Sequence, residues 1–380
     1  MESLLKDTRT EEEKLLLQIL TDLKKENSAE SVLNKNILIE LLTQKINQPS
    51  QFKELFGGYS SNTYYYKKES LVLRFPKLHN PLYRNTSIEI HNLSQAKLLN
   101  LTPLKLVAYY TKYSLLVTEF IPNYQSFSSI DFKNTDELIQ AAHLIKALHY
   151  SQAKFEQNPE TATAFIDSTS KTFQRISTIL NSEDGIILKK LDLLRNFLKK
   201  FKISKRPSHG DFHPFNLIKK DEKLQLMDWE LSSIEDPAYD ISRFFCVADL
   251  SIEQKSIFLQ TYQNSCSIRL SESALNNLAT RIQLYEPLSY FSIVVWAKYA
   301  VLFFYDDQRK LLEETVKNFT AKTLTVLENI DLSSINPNMY VENRYLSTHF
   351  ALFRPPENQA MQEQIGKVSN LDPQRITKKS

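Results

Sequence analysis

The 380-residue chain carries 47 lysine and arginine residues against 44 acidic residues, a net charge of +3, and 42% of its residues are hydrophobic. These values are typical of a folded globular protein and argue against a disordered or fibrous one. Basic residues are interleaved with acidic ones, so the charge pattern gives no reason to expect nucleic-acid binding. The length predicts two lobes, or one two-lobed domain with extensions.

The cysteine content and the apolar segments bear on location. Cys246 and Cys266 show no metal-site or disulfide spacing, which fits a reducing compartment. The N-terminus is acidic ahead of its apolar stretch and does not resemble a secretory signal, so we expect a cytoplasmic protein. The apolar run from Leu288 to Phe304 approaches the length of a membrane span, but Lys298 near its centre favours a helix buried in a large domain.

The first fifty residues are predicted to be helical. Thr10 and Glu13 form a capping-box pattern ahead of an apolar-periodic segment, and a second amphipathic segment runs from Ser28 to about Ile46. Beyond it the sequence changes to aromatic-rich, β-favouring stretches around a glycine pair, as in a hairpin. The predicted order up to Pro122 is strand, strand, helix, strand, strand.

After Asn134 helical segments dominate the sequence. Two short β-runs separated by the turn 220–223 interrupt them, and helices resume at about Ala238 and continue to about Ile330. The last fifty residues are polar and contain four prolines, which indicates a loosely packed tail. We therefore expect an N-terminal helical extension (1–50), a small lobe with an ATP-binding sheet (51–122), a helical lobe (123–335) and a C-terminal extension (336–380).

The residues that carry chemistry fall in one stretch. His209, Gly210 and Asp211 are followed five residues after the aspartate by Asn216, and Asp228 comes twelve residues later at the end of an apolar strand. A phosphoryl-transfer site needs a carboxylate to orient the attacking hydroxyl, and oxygen ligands that hold Mg²⁺ against the phosphates. The spacing predicts that the oxygen-bearing side chains of Asp211, Asn216 and Asp228 meet at one point.

At these residues the chain resembles the aminoglycoside phosphotransferase and choline kinase superfamily, whose H-x-D-x-x-x-x-N loop precedes a D-x-E or D-x-G metal motif. The resemblance implies an α+β, bilobal protein-kinase-like fold, with a small antiparallel-sheet lobe, a mainly helical lobe and ATP between them. It implies Asp211 as the catalytic base and Asn216 and Asp228 as magnesium ligands, with Glu230 near a second ion. Asp240 falls at the family's structural-aspartate position.

The same resemblance assigns the phosphate-binding parts of the small lobe. Gly57 and Gly58, with Ser61 and Asn62, resemble the loop that covers the triphosphate, where small residues let backbone amides approach the phosphates. Arg74, in the run SLVLRFP, resembles the basic residue that holds the α- and β-phosphates.

Two further nucleotide contacts follow from the resemblance. Glu89, on the next helical segment, is the expected ion-pair partner of Arg74, and Glu119 is the alternative partner. The segment VTEFIPN occupies the position of the hinge between the lobes. Backbone groups of Glu119 and Ile121 would there meet the adenine edge.

The sequences DWE, EFIPN and LRFP favour choline, ethanolamine and thiamine kinases within the superfamily. A quaternary ammonium acceptor would need aromatic faces and nearby carboxylates. His143 and His149 are expected to be structural. The candidates for the acceptor site are the aromatic residues Trp229, Tyr285, Trp296 and Tyr299 and the acidic residues Glu235, Asp236 and Asp306.

The leading hypothesis is therefore an ATP- and Mg²⁺-dependent kinase acting on a hydroxyl of a small amino alcohol. One alternative is an aminoglycoside or other antibiotic kinase. Another is a kinase-like protein that binds or modifies a protein partner, although no activation segment with an A-P-E-like end follows DWE.

Overall fold

The computed structural model describes residues 10–55, 61–76, 86–159, 163–168, 170–201, 203–264, 270–301, 306–335 and 337. Two predictions therefore lie outside the described residues: the glycine pair Gly57–Gly58, and the tail beyond residue 337. The side chain of Asp306 is also outside them, although the backbone of this residue begins a helix.

The N-terminus folds into two helices, as predicted. Helix α1 (Glu11–Lys25) begins with the predicted capping box: Thr10 Oγ1 accepts from Glu13 N at 3.1 Å, and Glu13 Oε2 accepts from Thr10 N at 2.8 Å. Helix α2 (Lys35–Asn47) begins seven residues later than Ser28, because the two-residue strand β1 (Val32–Leu33) comes first. The prediction of a second helix from Ser28 was too long at its start.

A six-stranded antiparallel sheet follows, with strand order β1-β5-β6-β4-β3-β2. Between α2 and α3 lie three strands, where the sequence predicted two, and β1, which comes before α2, adds an edge strand by pairing Val32 with Tyr110. The elements are β2 (Phe52–Glu54), β3 (Ser61–Tyr66), β4 (Leu71–Pro76), α3 (Thr86–Leu98), β5 (Leu106–Tyr110) and β6 (Leu115–Glu119).

Helices α1 and α2 and the sheet share one hydrophobic core. Leucine and isoleucine side chains that recur at helical spacing on α1 and α2 are buried against apolar side chains of the strands. The described part of this segment, residues 10–50, is thus packed as part of the sheet-containing lobe. The shared core includes Leu16, Ile19, Leu23, Leu38, Leu41 and Leu42 from the helices and Tyr66, Leu73, Phe75, Ala108, Leu115 and Val117 from the strands.

The rest of the described chain is mainly helical, with two small ribbons between the helices. One ribbon has the order β10-β9-β7 and the other pairs β11 with β8. The helices are α4 (Thr135–His149), α5 (Lys171–Ile176), α6 (Ser182–Leu198), α7 (Pro237–Ala248), α8 (Ile252–Asn264), α9 (Glu272–Val301) and α10 (Asp306–Asn329); the strands are β7 (Gln125–Ser126), β8 (Arg206–Ser208), β9 (Leu217–Lys220), β10 (Lys223–Leu226) and β11 (Ser233–Glu235).

Helix α9 contains most of the apolar run and is buried on several sides, as expected for a central helix. Leu288, Phe291 and Val294 have no measurable exposure, and Lys298 forms an ion pair with Asp184 of α6. Among the helices in the described ranges, none combines the length and apolar character needed to cross a bilayer.

Candidate active site

The loop between β8 and β9 carries the H-x-D-x-x-x-x-N motif, and its conformation requires a glycine at the second position. Gly210 has φ +80°, in the left-handed region. A Cβ atom on Gly210 would overlap the backbone carbonyl of Leu231. The close approach of these two backbones places the catalytic loop directly against the segment that follows the metal motif.

Asp240, on α7, braces this loop. Its Oδ2 accepts from the backbone N of His209 and its Oδ1 from the backbone N of Gly210, both at 2.8 Å. His149 of α4 donates from Nε2 to Asp240 Oδ2 at 3.0 Å, and Tyr262 of α8 lies 2.8 Å from His149 Nδ1. His149 is therefore a structural residue, as predicted, and the buried network fixes the loop from three helices.

His209 ties the catalytic loop to the metal motif. Its Nε2 donates to the carbonyl of Met227 at 2.7 Å, one residue before Asp228. Burial lowers the pKa of His209 below 6.5. The ring is thus neutral at pH 7 and acts as a spacer that sets the separation of the two functional segments.

Asp211 is ionised and surrounded by donors. Its Oδ2 accepts from His213 Nε2 at 3.1 Å and from Asn216 Nδ2 at 3.2 Å, and its Oδ1 accepts from Arg243 Nε at 3.1 Å. Burial alone would raise the pKa of Asp211, but the charges of His213 and Arg243 outweigh it and hold the pKa well below 3.8. The side chain can orient a hydroxyl while keeping its negative charge.

Asn216 and Asp228 have the chemistry of a magnesium site. Asn216 uses its Nδ2 to donate to the backbone and side chain of Asp211, which leaves its amide oxygen for a cation. Asp228 Oδ1 is shielded from solvent, and no described residue gives it a hydrogen bond. The Arg74 guanidinium lies 3.7 Å from this oxygen, too far for a hydrogen bond, so the oxygen can still coordinate a metal ion and these residues fit Mg²⁺. Within the described ranges no cluster of three His, Cys, Asp or Glu side chains forms a ready metal cage.

Asp228 also contacts the sheet-containing lobe. Its backbone adopts φ 56°, in the left-handed region, which is uncommon for a residue with a side chain and recurs at functional sites. Arg74 Nη1 lies 3.7 Å from Asp228 Oδ1, and Arg74 Nη2 forms an ion pair with Glu89 of α3. Burial lowers the pKa of Arg74, but Glu89, Asp228 and Glu230 outweigh it and raise the pKa. The predicted Arg74–Glu89 pair is present.

The remaining residues that were predicted to contact the nucleotide lie after β6 and at the start of β3. Glu119 forms an exposed ion pair with Lys105, not with Arg74, and its backbone N donates to Lys105 O at 3.0 Å. The backbone N of Ile121 has no hydrogen-bond partner among the described residues, so it is open to a ligand. Ser61 and Asn62 begin β3, opposite Pro76 and Phe75.

The aromatic candidates for the acceptor site divide into two groups. Trp229 is 1% exposed and its ring contacts those of Phe155 and His209, while Tyr299 is 3% exposed in α9. Trp229 packs in the main core, so the expectation that it contacts the acceptor is corrected, and the burial of Tyr299 argues against acceptor contact in the same way. Trp296 packs against the apolar residues that join α9 to α10.

Glu235 and Tyr285 both line a small, partly open pocket next to the catalytic loop. Burial and the neighbouring Asp236 raise the pKa of Glu235, although Lys205 opposes them. Asp236 itself is paired with Arg281 of α9 through Nε at 2.8 Å. Other residues lining the pocket include Thr163, Ser208, Gly210, Ser233, Tyr239 and Asp240.

Two residues at the site were missed by the sequence analysis, His213 and Arg243. Both lie inside the runs HGDFHPFNLI and DPAYDISRFF, and each contacts Asp211 directly. The available signal was a single arginine, Arg243, in an otherwise apolar stretch of α7. Its partner is 32 residues away in sequence, so the contact depends on tertiary structure.

A comparison of sequences gives independent evidence on the stretch that contains Asp211, Asn216 and Asp228. The profile of a family described as choline/ethanolamine kinase matches residues 84–311, more than half of the chain. The chain belongs to the choline/ethanolamine kinase family. The matched range includes the catalytic loop, the metal motif and Glu89, and the superfamily resemblance is thus confirmed.

Curated relatives of this choline/ethanolamine kinase family member include protein LicA of Haemophilus influenzae. LicA is 26% identical over 200 residues, which are 51% of this chain and 56% of that protein. The chain thus spans about half the length of this curated relative.

Solved structures show the fold. Choline kinase LicA from Streptococcus pneumoniae has a TM-score of 0.59 at 18% identity and covers 77% of this chain and 99% of its own. Amicoumacin kinase hAmiN, solved with AMP-PNP, Ca²⁺ and Ami, has a TM-score of 0.53 at 16% identity, with 80% and 100% coverage. The α+β kinase-like fold predicted from the sequence is therefore confirmed.

Proposed function

We propose that this protein is an ATP-dependent small-molecule kinase that transfers the γ-phosphate to a hydroxyl of a small amino alcohol, choline-like or ethanolamine-like, or of thiamine. The observation that carries the proposal is the contact of Asn216 with Asp211, together with the backbone bond from Met227 N, one residue before Asp228, to Asn216 O at 2.9 Å and the approach of Arg74 to Asp228. We also propose a cytoplasmic location, which supplies ATP and suits the unpaired thiol of the buried Cys246.

Each residue has a proposed part in the reaction. Asp211 accepts a hydrogen bond from the acceptor hydroxyl and orients it toward the γ-phosphate. Arg74 holds the α- and β-phosphates, and the free backbone N of Ile121 meets the adenine. Asn216 and Asp228, with Glu230 near a second ion, would hold Mg²⁺, which when bound neutralises charge on the phosphates.

The proposed acceptor site is the pocket that contains Glu235 and Tyr285. Carboxylates and tyrosine rings attract a cation, and Tyr239 contacts the ring of Tyr285 with centroids 5.6 Å apart. The pocket adjoins Gly210, the residue before Asp211. A cationic group in the pocket would thus lie near the base that orients the hydroxyl.

The test is Mg·ATP consumption by the purified protein with choline, ethanolamine, thiamine, aminoglycosides and simple sugars. Acceptor-dependent turnover with one of the first three is expected, and turnover with aminoglycosides alone would support the antibiotic-kinase alternative. Asp211→Ala should bind Mg·ATP yet lose about 10²–10⁴-fold in turnover, since it removes the orienting carboxylate. Near-wild-type phosphorylation by this variant would refute the mechanism.

A further inference from the structure

Asp211 has one open acceptor position among the described residues, and it lies beside Arg243. An ionised carboxylate offers about four lone-pair sites. Oδ2 accepts two hydrogen bonds, from His213 and Asn216, whereas Oδ1 accepts one, from Arg243 Nε. The hydroxyl of an acceptor would therefore donate to Oδ1, next to the guanidinium group.

Arg243 is itself held by α9. Its Nη1 donates to the carbonyl of Ser289 at 3.2 Å and to Ser292 Oγ at 2.7 Å, and Ser292 Oγ donates to Ser289 O at 2.7 Å. The side chain is 12% exposed. A planar guanidinium can contact α9 and Asp211 at the same time in one fixed orientation, which the ammonium of a lysine cannot reproduce.

We propose that Arg243 is a positioning residue for phosphoryl transfer: anchored on α9, it fixes the carboxylate of Asp211 so that Oδ1 receives the acceptor hydroxyl. The proposal rests on the proposed kinase function. It adds α9 to the parts of the fold that set the geometry of the base.

Tyr239 connects the pocket beside Gly210 with the same pair. Tyr239 lines this pocket. Burial raises the pKa of Tyr239 to about 12. The charges of Arg243 and Asp211 also act on the Tyr239 hydroxyl, which forms a hydrogen bond with Ser292. The hydroxyl of Tyr239 thus lies between the pocket and the Asp211–Arg243 pair.

The experiment compares steady-state kinetics of Arg243→Met and Arg243→Lys with those of wild type, using the acceptor that wild type phosphorylates. Arg243→Met should lower kcat about 10²-fold, because a misplaced catalytic group costs that much. The KM for ATP should change by less than about threefold, since Arg243 does not touch the nucleotide site. Arg243→Lys should recover part of kcat.

Ser242→Ala is the matched control. Ser242 precedes Arg243 on α7, and its hydroxyl contacts Ser289 of α9 at 3.1 Å, but it makes no contact with Asp211. Its kcat should equal that of wild type. An unchanged kcat in Arg243→Met, or an equal loss in Ser242→Ala, would overturn the proposal, because the effect would then belong to α7–α9 packing.

A crystal structure of the Arg243→Met variant tests the positioning of Asp211 independently of turnover. The carboxylate of Asp211 should rotate away from its wild-type orientation; a superimposable carboxylate contradicts the proposal. If wild type phosphorylates no acceptor in the panel, the proposed function fails and this structural result still stands. Should Arg243→Met not fold, Arg243→Lys is crystallised instead, with the same two outcomes.

Discussion

At the scale of single residues, the site depends on backbone positions that few residue types can occupy. Gly210 and Asp228 both have positive φ, and they lie at the two segments that His209 joins. Strain of this kind persists only where surrounding contacts enforce it. Here the enforcing contacts are those of Asp240 with the loop and of Gly210 with Leu231.

Gly210→Ala should damage both stability and turnover. The added Cβ would meet the carbonyl of Leu231 at a positive φ, so we expect a loss of roughly 1–3 kcal/mol in the free energy of unfolding and a displaced Asp211. Gly185→Ala is the control, because Gly185 lies inside α6 with no atom within 4 Å of the added Cβ. Its expected effect is a gain of about 0.5–1 kcal/mol. Urea unfolding of both variants measures the difference, and equal stabilities would contradict it.

Contacts between residues close in the sequence could be predicted, whereas contacts that depend on the packing of distant segments could not. The catalytic loop could be predicted from the sequence because Asp211, Asn216 and Gly210 lie in one short segment. Trp229 was misassigned because an aromatic residue next to a metal motif gives no sign of its burial. Arg243 was overlooked because only the packing of α7 on α9 brings it to Asp211.

At the scale of elements, α1 and α2 are required by the sheet. Their leucines cover one face of it, and that face would otherwise expose Leu73, Leu115 and Val117 to water. Strand β1 was not predicted, because two residues give no periodic signal. The later start of α2 was not predicted either, because it follows from the presence of β1.

Leu42→Ala should destabilise the protein strongly although it lies far from the motifs. Leu42 is fully buried in the core shared by α2 and the sheet, so the free energy of unfolding should fall by about 2–5 kcal/mol. Leu98→Ala, at a leucine of α3 that is 76% exposed, should change it by no more than about 0.5 kcal/mol. Thermal or urea unfolding measures both; similar values for the two variants would show that α2 packs independently of the sheet.

At the scale of the whole molecule, Arg74 links the two lobes. It pairs with Glu89 within the sheet-containing lobe and approaches Asp228 of the helical lobe. Asn92 of α3 adds a second connection, donating to the carbonyl of Ser232 at 3.1 Å. The relative position of the proposed nucleotide and metal sites is therefore set by side chains close to those sites.

Arg74→Ala should lower kcat/KM for ATP by about 10²-fold, since it removes a phosphate contact and the partner of two carboxylates. Arg74→Lys should restore only part, because lysine lacks the guanidinium fork that reaches Glu89 and Asp228 together. Lys112→Ala, which breaks an exposed ion pair with Asp22 of α1, should stay within about twofold of wild type. Kinetics at varied ATP concentration test all three. Full activity of Arg74→Ala would show that Arg74 contributes neither to ATP binding nor to catalysis.

The pairing of β1 with β5 has a consequence for the newly synthesised chain. Val32 pairs with Tyr110, and the core around α1 and α2 needs Leu115 and Val117 of β6. The apolar faces of α1 and α2 are fully buried only after residue 117 has left the ribosome, so both helices reach their final stability after β6 has been made. Until then the part of their apolar surface that packs on Leu115 and Val117 is open to water and to chaperones that bind apolar segments.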